Sequence, residues 1–276
     1  MSAVVAAFAV LIRPLRVRKF GAMILALGIL AAACAEDGLE EEAVEEPIEE
    51  PAVEEAVEPT YYFATSAPGA ALPDGEACAE QVLVDPSEEN RPENAEPNNT
   101  IVDVTVNIDG ADEQWNADLA PRISGDFTGT TDQVLRWVSC KWGFDEDITR
   151  ARAVTESSWL MSTAGDVSEL AEECDFLGID SPCPLSYGLL QVKGTVHVGT
   201  FPYTTQSTAF GAEYAMAWLR ACYEGSFEWL ADQGYEAGDE WGCVGAWFSG
   251  EWRDDAALGY IDEVRGNLES RTWEQY

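Results

Sequence analysis

Six cysteines, Cys78, Cys140, Cys174, Cys183, Cys222 and Cys243, constrain the fold of this chain more than any other feature, with a seventh, Cys34, standing apart near the N-terminus. An even set in an exported chain implies a disulfide framework, and every bridge forces two backbone segments to within about 7 Å of each other. Sequence leaves the pairing open. The pairing expected is Cys174 with Cys183 across a short loop, Cys222 with Cys243, and Cys78 with Cys140. Metal ligation is the weaker reading, since the chain has no CxxC pair and its single histidine is His197. Neither a metal nor any other cofactor is expected.

Export is read from residues 1–34. Arg13, Arg16, Arg18 and Lys19 precede the apolar run "FGAMILALGILAAAC", which is too short and too abruptly ended for a lasting membrane span. Cys34 follows Ala31 to Ala33, with Leu30 just upstream, and this resembles the lipobox of bacterial lipoproteins, with the leucine one place further out than usual. The resemblance implies cleavage and lipidation at Cys34, tethering the chain to a membrane leaflet without spanning it. The alternative is a plain signal peptide cut nearby, leaving Cys34 as a stray thiol.

The leader holds four of the chain's 15 Lys and Arg and none of its 51 Asp and Glu, so 11 basic groups face 51 acidic ones in the remainder. No basic surface is left to neutralise phosphates, and nucleic acid is excluded as a partner. Much of the excess lies in residues 35–60, where the Glu, Pro, Ala and Val stretch "AEDGLEEEAVEEPIEEPAVEEAVEP" is self-repelling and free of aromatic residues. Such a stretch cannot bury enough surface to offset the entropy of ordering, and it reads as a disordered spacer that provides reach.

Residues 61–125 read as a lead-in with sparse regular structure and one strand, because "TIVDVTVNID" alternates Val102, Val104, Val106 and Ile108 with polar residues. From residue 126 to 276 the pattern turns helical. Thr130 or Thr131 can cap a helix carrying Val134, Leu135 and Val138, Gly143 ends it, and Asp145 can cap a second helix with Ile148, Ala151, Thr155 and Trp159 on one side. Glu156 then falls near the C-terminal end of that second helix. "SYGLLQVKGTVHVGTFPYTTQ" reads as loop with one short ordered turn. Phe210, Tyr214, Trp218 and Cys222 mark a third helix, and Ala257, Ile261, Val264 and Leu268 a last one. The fold class expected is mainly α (α+β), with the helical domain over 126–276 and the short β and loop lead-in before it.

The run "WGFDEDITRARAVTESSW" resembles the opening of the soluble lytic transglycosylase domain, in which a small helix leads to an acid-then-serine pair. "GLLQ", from Gly188 through Leu189 and Leu190 to Gln191, is similar to that family's Gly-Leu-Met-Gln motif, with Leu190 in the methionine place. "GAWFSG" sits where the family has an Ala-Tyr-Asn-x-Gly segment, after a helix similar to "AFGAEYAMAWLRAC". The resemblance implies a lysozyme-like fold and cleavage of the β-1,4 link between N-acetylmuramic acid and N-acetylglucosamine in peptidoglycan. By motif, Glu156 would be the general acid. Ser157 would orient it or fix the helix end, Gly188 would allow close backbone approach, and Gln191 would offer its amide to an N-acetyl group or to the acid. Trp247 and Phe248 would line the substrate groove, one of them standing where the family has a tyrosine. The implied partner is a glycan strand and the implied state a monomer.

A carboxylic acid donates at neutral pH only if apolar surroundings raise its pKa, and Trp159 with the Leu189/Leu190 pair are the residues expected to provide them. Against this, Arg152 lies four residues before Glu156, a spacing at which an exposed ion pair would hold Glu156 charged. Hydrolysis by inversion would need a second carboxylate, with Asp166, Asp175 and Asp180 as candidates, whereas a one-acid lyase needs none. Tyr187, Phe201, Tyr203 and Trp252 can stack on sugar rings or pack beneath the loops. His197 reads as a hydrogen-bonding loop residue. A catalytically silent glycan-binding lipoprotein, or a hydrolase acting on a related polymer such as chitosan, are the rival readings.

Overall fold

A computed structural model describes residues 61–276 with the exception of Pro86. The leader, Cys34 and the acidic spacer lie outside the described residues. The fold is mainly helical, in the order α1 Gly75–Leu83, α2 Ala95–Asn98, α3 Glu113–Leu119, α4 Thr131–Trp142, α5 Glu146–Ser157, α6 Ala171–Leu177, α7 Tyr203–Gln206, α8 Thr208–Tyr223, α9 Glu240–Ser249 and α10 Asp255–Ser270. None of the described helices is long and apolar enough to cross a membrane.

Capping sets the helix pair that matters most. The Thr130 hydroxyl accepts from the Gln133 amide while the Gln133 side chain accepts from the Thr130 amide, so a capping box starts α4. Gly143, at φ 67°, ends it in the left-handed conformation that glycine adopts without strain. Two residues later the Asp145 carboxylate accepts from the amides of Asp147 and Ile148 and starts α5.

Helix α8 is buried over its whole length, the condition of a helix at the centre of a domain. α4, α7 and α9 pack around it, while α10 lies across α5 and α9. Its two charged residues are each satisfied. Glu213 pairs with Lys141 and accepts from the amides of Ser124 and Gly125, and Arg220 pairs with Glu224 at 2.7 Å and donates to the Ala67 carbonyl.

The disulfides are Cys78–Cys140, Cys174–Cys183 and Cys222–Cys243, the pairing expected. The first joins α1 to α4 across 62 residues and the third joins α8 to α9 across 21, so these two restrict the unfolded chain most. The second closes a short excursion that carries its own small apolar cluster of Cys174, Cys183 and Leu185, apart from the main core.

The lead-in departs from expectation in two ways. It contains α1, α2 and α3, and Cys78, Val82, Val106, Ile108 and Trp115 enter the same core as the later helices, so it braces the helical domain. The strand expected at residues 101–108 is absent. Val102, Val106 and Ile108 do point inward and Asp103, Thr105 and Asn107 outward, but no neighbouring backbone pairs with them. Alternation reports which face is buried, not whether a ladder exists. At Ile108 the Asn116 side chain accepts from the backbone N–H at 2.8 Å and donates to the carbonyl at 3.1 Å, and that carbonyl also accepts from the Ala111 amide in a turn. The one small sheet lies elsewhere: β1 Ala164–Gly165, β2 Ser186–Tyr187 and β3 Val192–Lys193 are antiparallel in that order, in part of the stretch read as loop.

Candidate active site

Glu156 is the last residue but one of α5. Ser158 and Trp159 follow with positive φ of 51° and 62°, which swings the chain sharply off the helix end. Ser157 is buried, and its hydroxyl donates to the Ala153 carbonyl at 3.1 Å and the Leu189 carbonyl at 2.9 Å. Its role is to tie the Gly188–Gln191 loop to the end of α5, the second of the two roles the sequence allowed.

The loop itself is rigid. A Cβ at Gly188, whose φ is 78°, would come within 2.8 Å of the Thr204 carbonyl oxygen, so only glycine fits. Gln191 spends its amide on the carbonyls of Thr163, at 3.0 Å, and Gly188, at 2.8 Å. Those donors hold the loop and are not free for an N-acetyl group. Leu189 and Leu190 are fully buried in the main core, so neither side chain is available to touch a glycan.

Two further helices complete the site. From α10, the phenol of Tyr260 donates to Glu156 Oε1 at 2.5 Å. From α9, Phe248 lies flat on the Tyr260 ring, with centroids 4.8 Å apart and planes 3° from parallel, while 56 % of Phe248 remains exposed. Trp247 stacks on His197 at 5.0 Å and lies 5.6 Å from the guanidinium carbon of Arg152. Asn267 of α10 donates to Thr155 at 3.0 Å and fixes the register of α10 against α5 beside the acid.

The electrostatics of Glu156 follow from this surround. Burial pushes its pKa up to about 7, against the opposing pull of the Tyr260 phenol, the Arg152 charge and the Trp247 indole, and the Asp166 charge adds to the rise. Arg152 does not form the exposed ion pair anticipated from its spacing. It is fully buried and makes no ion pair with any described carboxylate. A carboxyl near half-protonation at neutral pH, with a phenol to orient it, is equipped to donate a proton to a leaving oxygen.

Of the three aspartates considered as a second carboxylate, only Asp166 acts on Glu156; Asp175 and Asp180 are on the exposed excursion. Burial works against the charge of Asp166, but Lys193 at 3.1 Å and the Ser186 hydroxyl at 2.9 Å outweigh it and hold the carboxyl below its ordinary value. His197 is buried among Trp247, Tyr214 and Trp218, which lowers its pKa to about 4 and keeps it neutral. Trp252 packs edge-on to Tyr235, and Tyr187 packs on Phe201 at 4.9 Å.

Trp159 is not part of this surround. It folds back along α5, donates its indole N–H to the Arg150 carbonyl at 3.2 Å, and lines a cavity of about 900 Å³ with Asp132, Glu146, Asp147 and Arg150. Residues 150 and 152 lie about 200° apart around a helix, so that cavity opens on the face of α5 opposite the Arg152 and Glu156 side.

No protein-family model, curated protein or solved structure matches the chain.

Tyr260 is the site residue that sequence reasoning missed. It lies on the apolar stripe of α10 with Ala257, Ile261 and Val264. A phenol on a buried stripe must find a hydrogen-bond partner, and that was the available signal.

Proposed function

We propose that the protein is an exported peptidoglycan-lytic enzyme, resembling the soluble lytic transglycosylase domain of the lysozyme-like superfamily, with Glu156 as its general acid. The observation that carries this reading is the Glu156 carboxyl itself, raised to about 7 by burial and held at 2.5 Å by Tyr260. The three disulfides accord with an oxidising compartment. Lipidation at Cys34 would anchor the protein to a membrane, with the acidic spacer setting its reach towards the wall.

In this mechanism Glu156 gives its proton to the glycosidic oxygen as the C–O bond breaks, and positive charge develops at the muramyl C1. The resulting carboxylate is then the base that removes the proton of the muramyl 6-hydroxyl, whose oxygen closes a 1,6-anhydro ring on C1. The proton returns to Glu156 and no water is consumed. Tyr260 supports both halves: its phenol points the carboxyl while it is an acid and stabilises the carboxylate that follows. Phe248, stacked on Tyr260 with its other face open, offers a flat apolar surface to a sugar ring.

Hydrolysis is the second reading, favoured by one observation, the ionised Asp166 close enough to act on Glu156. Activation of water by Asp166 would require a separation of about 6.5–9.5 Å between the carboxyl groups. Mass spectrometry of the soluble products from purified peptidoglycan decides between the two. Muropeptides ending in 1,6-anhydro-muramic acid are expected. Reducing ends would establish the hydrolase, and a protein that binds glycan but releases no product at any pH would be the silent binding lipoprotein. Release from chitosan but not from peptidoglycan would overturn the substrate.

A further inference from the structure

Helices α4 and α5 form a hairpin that its own turn, Gly143 to Asp145, closes at one end. The other end has no covalent closure; there Thr131 begins α4 and Glu156 stands one residue from the end of α5. The chain leaves that open end through Ser158 and Trp159, both at positive φ, a conformation that costs energy in residues other than glycine and persists only where the surroundings impose it. The turn matters to the site because it sends the backbone back to Thr163. The Thr163 carbonyl accepts from the Gly188 amide at 3.1 Å, and its hydroxyl donates to the Ser157 carbonyl at 3.3 Å. The Gly188–Gln191 loop and the last residues of α5 are therefore set together.

Within α5 the turn is held by the Ser158 and Trp159 amides on the Val154 and Ala153 carbonyls, at 2.9 and 3.3 Å. The donors for the outward carbonyls come from the lead-in. Asn94, wholly buried, ends a short 3-10 turn, Pro92–Asn94, just ahead of α2. Its Nδ2 donates to the Thr131 hydroxyl at 2.9 Å and to the Trp159 carbonyl at 2.7 Å, and its Oδ1 accepts from the Met161 amide at 2.8 Å. One side chain thus bridges the start of α4 and the turn behind Glu156. Three residues earlier, Arg91 donates from Nη2 to the Ser158 carbonyl at 2.8 Å and lies 4.1 Å over the Tyr276 ring. The segment is itself anchored on Thr131, whose hydroxyl accepts from the Asn98 amide at 3.0 Å and whose backbone N–H donates to Glu89 at 2.7 Å.

We propose that Asn94, seconded by Arg91, is a positioning residue for the acid: the lead-in clamps the left-handed turn behind Glu156 and so holds its carboxyl at the Tyr260 phenol. The proposal rests on the reading of Glu156 as general acid. It gives the lead-in a part in catalysis although Asn94 and Arg91 act only on the backbone beyond the acid. Loss of the clamp lets the last turn of α5 open, and a displaced carboxyl no longer stands where the glycosidic oxygen needs its proton.

The test combines amide hydrogen exchange with cleavage kinetics on the whole protein, in the wild type, Asn94→Ala, Arg91→Ala and the combination of each with Tyr260→Phe. Relative to the α8 amides, exchange at Ser158 to Met161 should quicken about tenfold in Asn94→Ala and by less in Arg91→Ala. At pH 5, where Glu156 is protonated, kcat per folded molecule should fall about tenfold in Asn94→Ala with KM unchanged. Because clamp and phenol position the same carboxyl, the losses from Asn94→Ala and Tyr260→Phe should combine to less than their product in the double variant. Full protection of the turn in both single variants would overturn the proposal. So would quicker exchange with kcat unchanged, or losses that multiply, which mark a residue with a structural role alone. Should Asn94→Ala fail to fold, the half-buried Arg91 decides by the same readouts. If the wild type cleaves no glycan, the acid reading of Glu156 fails while hydrogen exchange still decides the clamp.

Discussion

The two faces of α5 carry the same kinds of residue and put them to opposite uses. On one face Arg150 is held by Asp132 at 2.7 Å, Glu146 at 2.8 Å and Asp147 at 2.7 Å, and Glu146 is shared with Arg136 at 3.2 Å. On the other, Arg152 has no ion pair among the described residues and Glu156 meets a phenol. Each charge on the first face has a partner of opposite sign and contributes structure. On the second, burial outruns pairing, and a carboxyl is left whose proton can be given away. A cavity of about 900 Å³ lies on the paired face, away from Glu156.

The comparison breaks first at Glu156. Glu156→Gln keeps the shape and the Tyr260 contact but removes the transferable proton, and release of muropeptides should fall by about a hundred- to ten-thousandfold. Circular dichroism and glycan binding should be unchanged. An equal loss of both would make Glu156 a structural residue like its counterparts on the other face.

Arg150→Ala probes the paired face. Glu146 keeps Arg136 and Asp147 keeps Arg271, but Asp132 loses its cation and three charge-assisted contacts are gone, and the cost should be about 1–3 kcal/mol in the free energy of unfolding, read from denaturant midpoints. In whatever protein remains folded, the pH profile of cleavage should stay in place, because Arg150 points about 120° away from Glu156 around the helix and is not among the groups acting on it.

A smaller effect sharpens the site face. Burial raises Glu156 and Glu240 from 4.5 to about 7, so each binds a proton more tightly in the folded protein. Their contribution to stability is fully present below about 4.5 and is lost as pH rises through about 7. Cleavage should fall over the upper part of the same window. Tyr260→Phe removes a hydrogen bond that favours the Glu156 carboxylate, so the alkaline limb should move to higher pH at a cost of about 1 kcal/mol in stability. A limb that moves to lower pH would show that the phenol stabilises the protonated form.

Much of the frame was legible in the sequence because its causes are local. Thr130 with Gln133, Gly143 and Asp145 are capping signals that act within one turn, and they place Glu156 near the end of α5 without reference to the rest of the chain. The even cysteine count was readable too, but it left the pairing open, and the three bridges found are the expected choice among several the count allowed. The alternation at residues 101–108 was read correctly for burial and wrongly for pairing, because side-chain period does not specify a backbone neighbour.

The sequence by itself determined the helical class and the position of a glutamate at a helix end, and it left the disulfide pairing open. Tertiary structure decided what that glutamate can do. Tyr260 lies 104 residues from Glu156 along the chain, and it reaches the carboxyl only because α10 folds across α5. Whether Arg152 is an exposed partner or a buried charge is likewise invisible in a spacing of four. The physical reason is that a pKa depends on desolvation and on every charge nearby, and those are properties of the packed interior that no local pattern encodes.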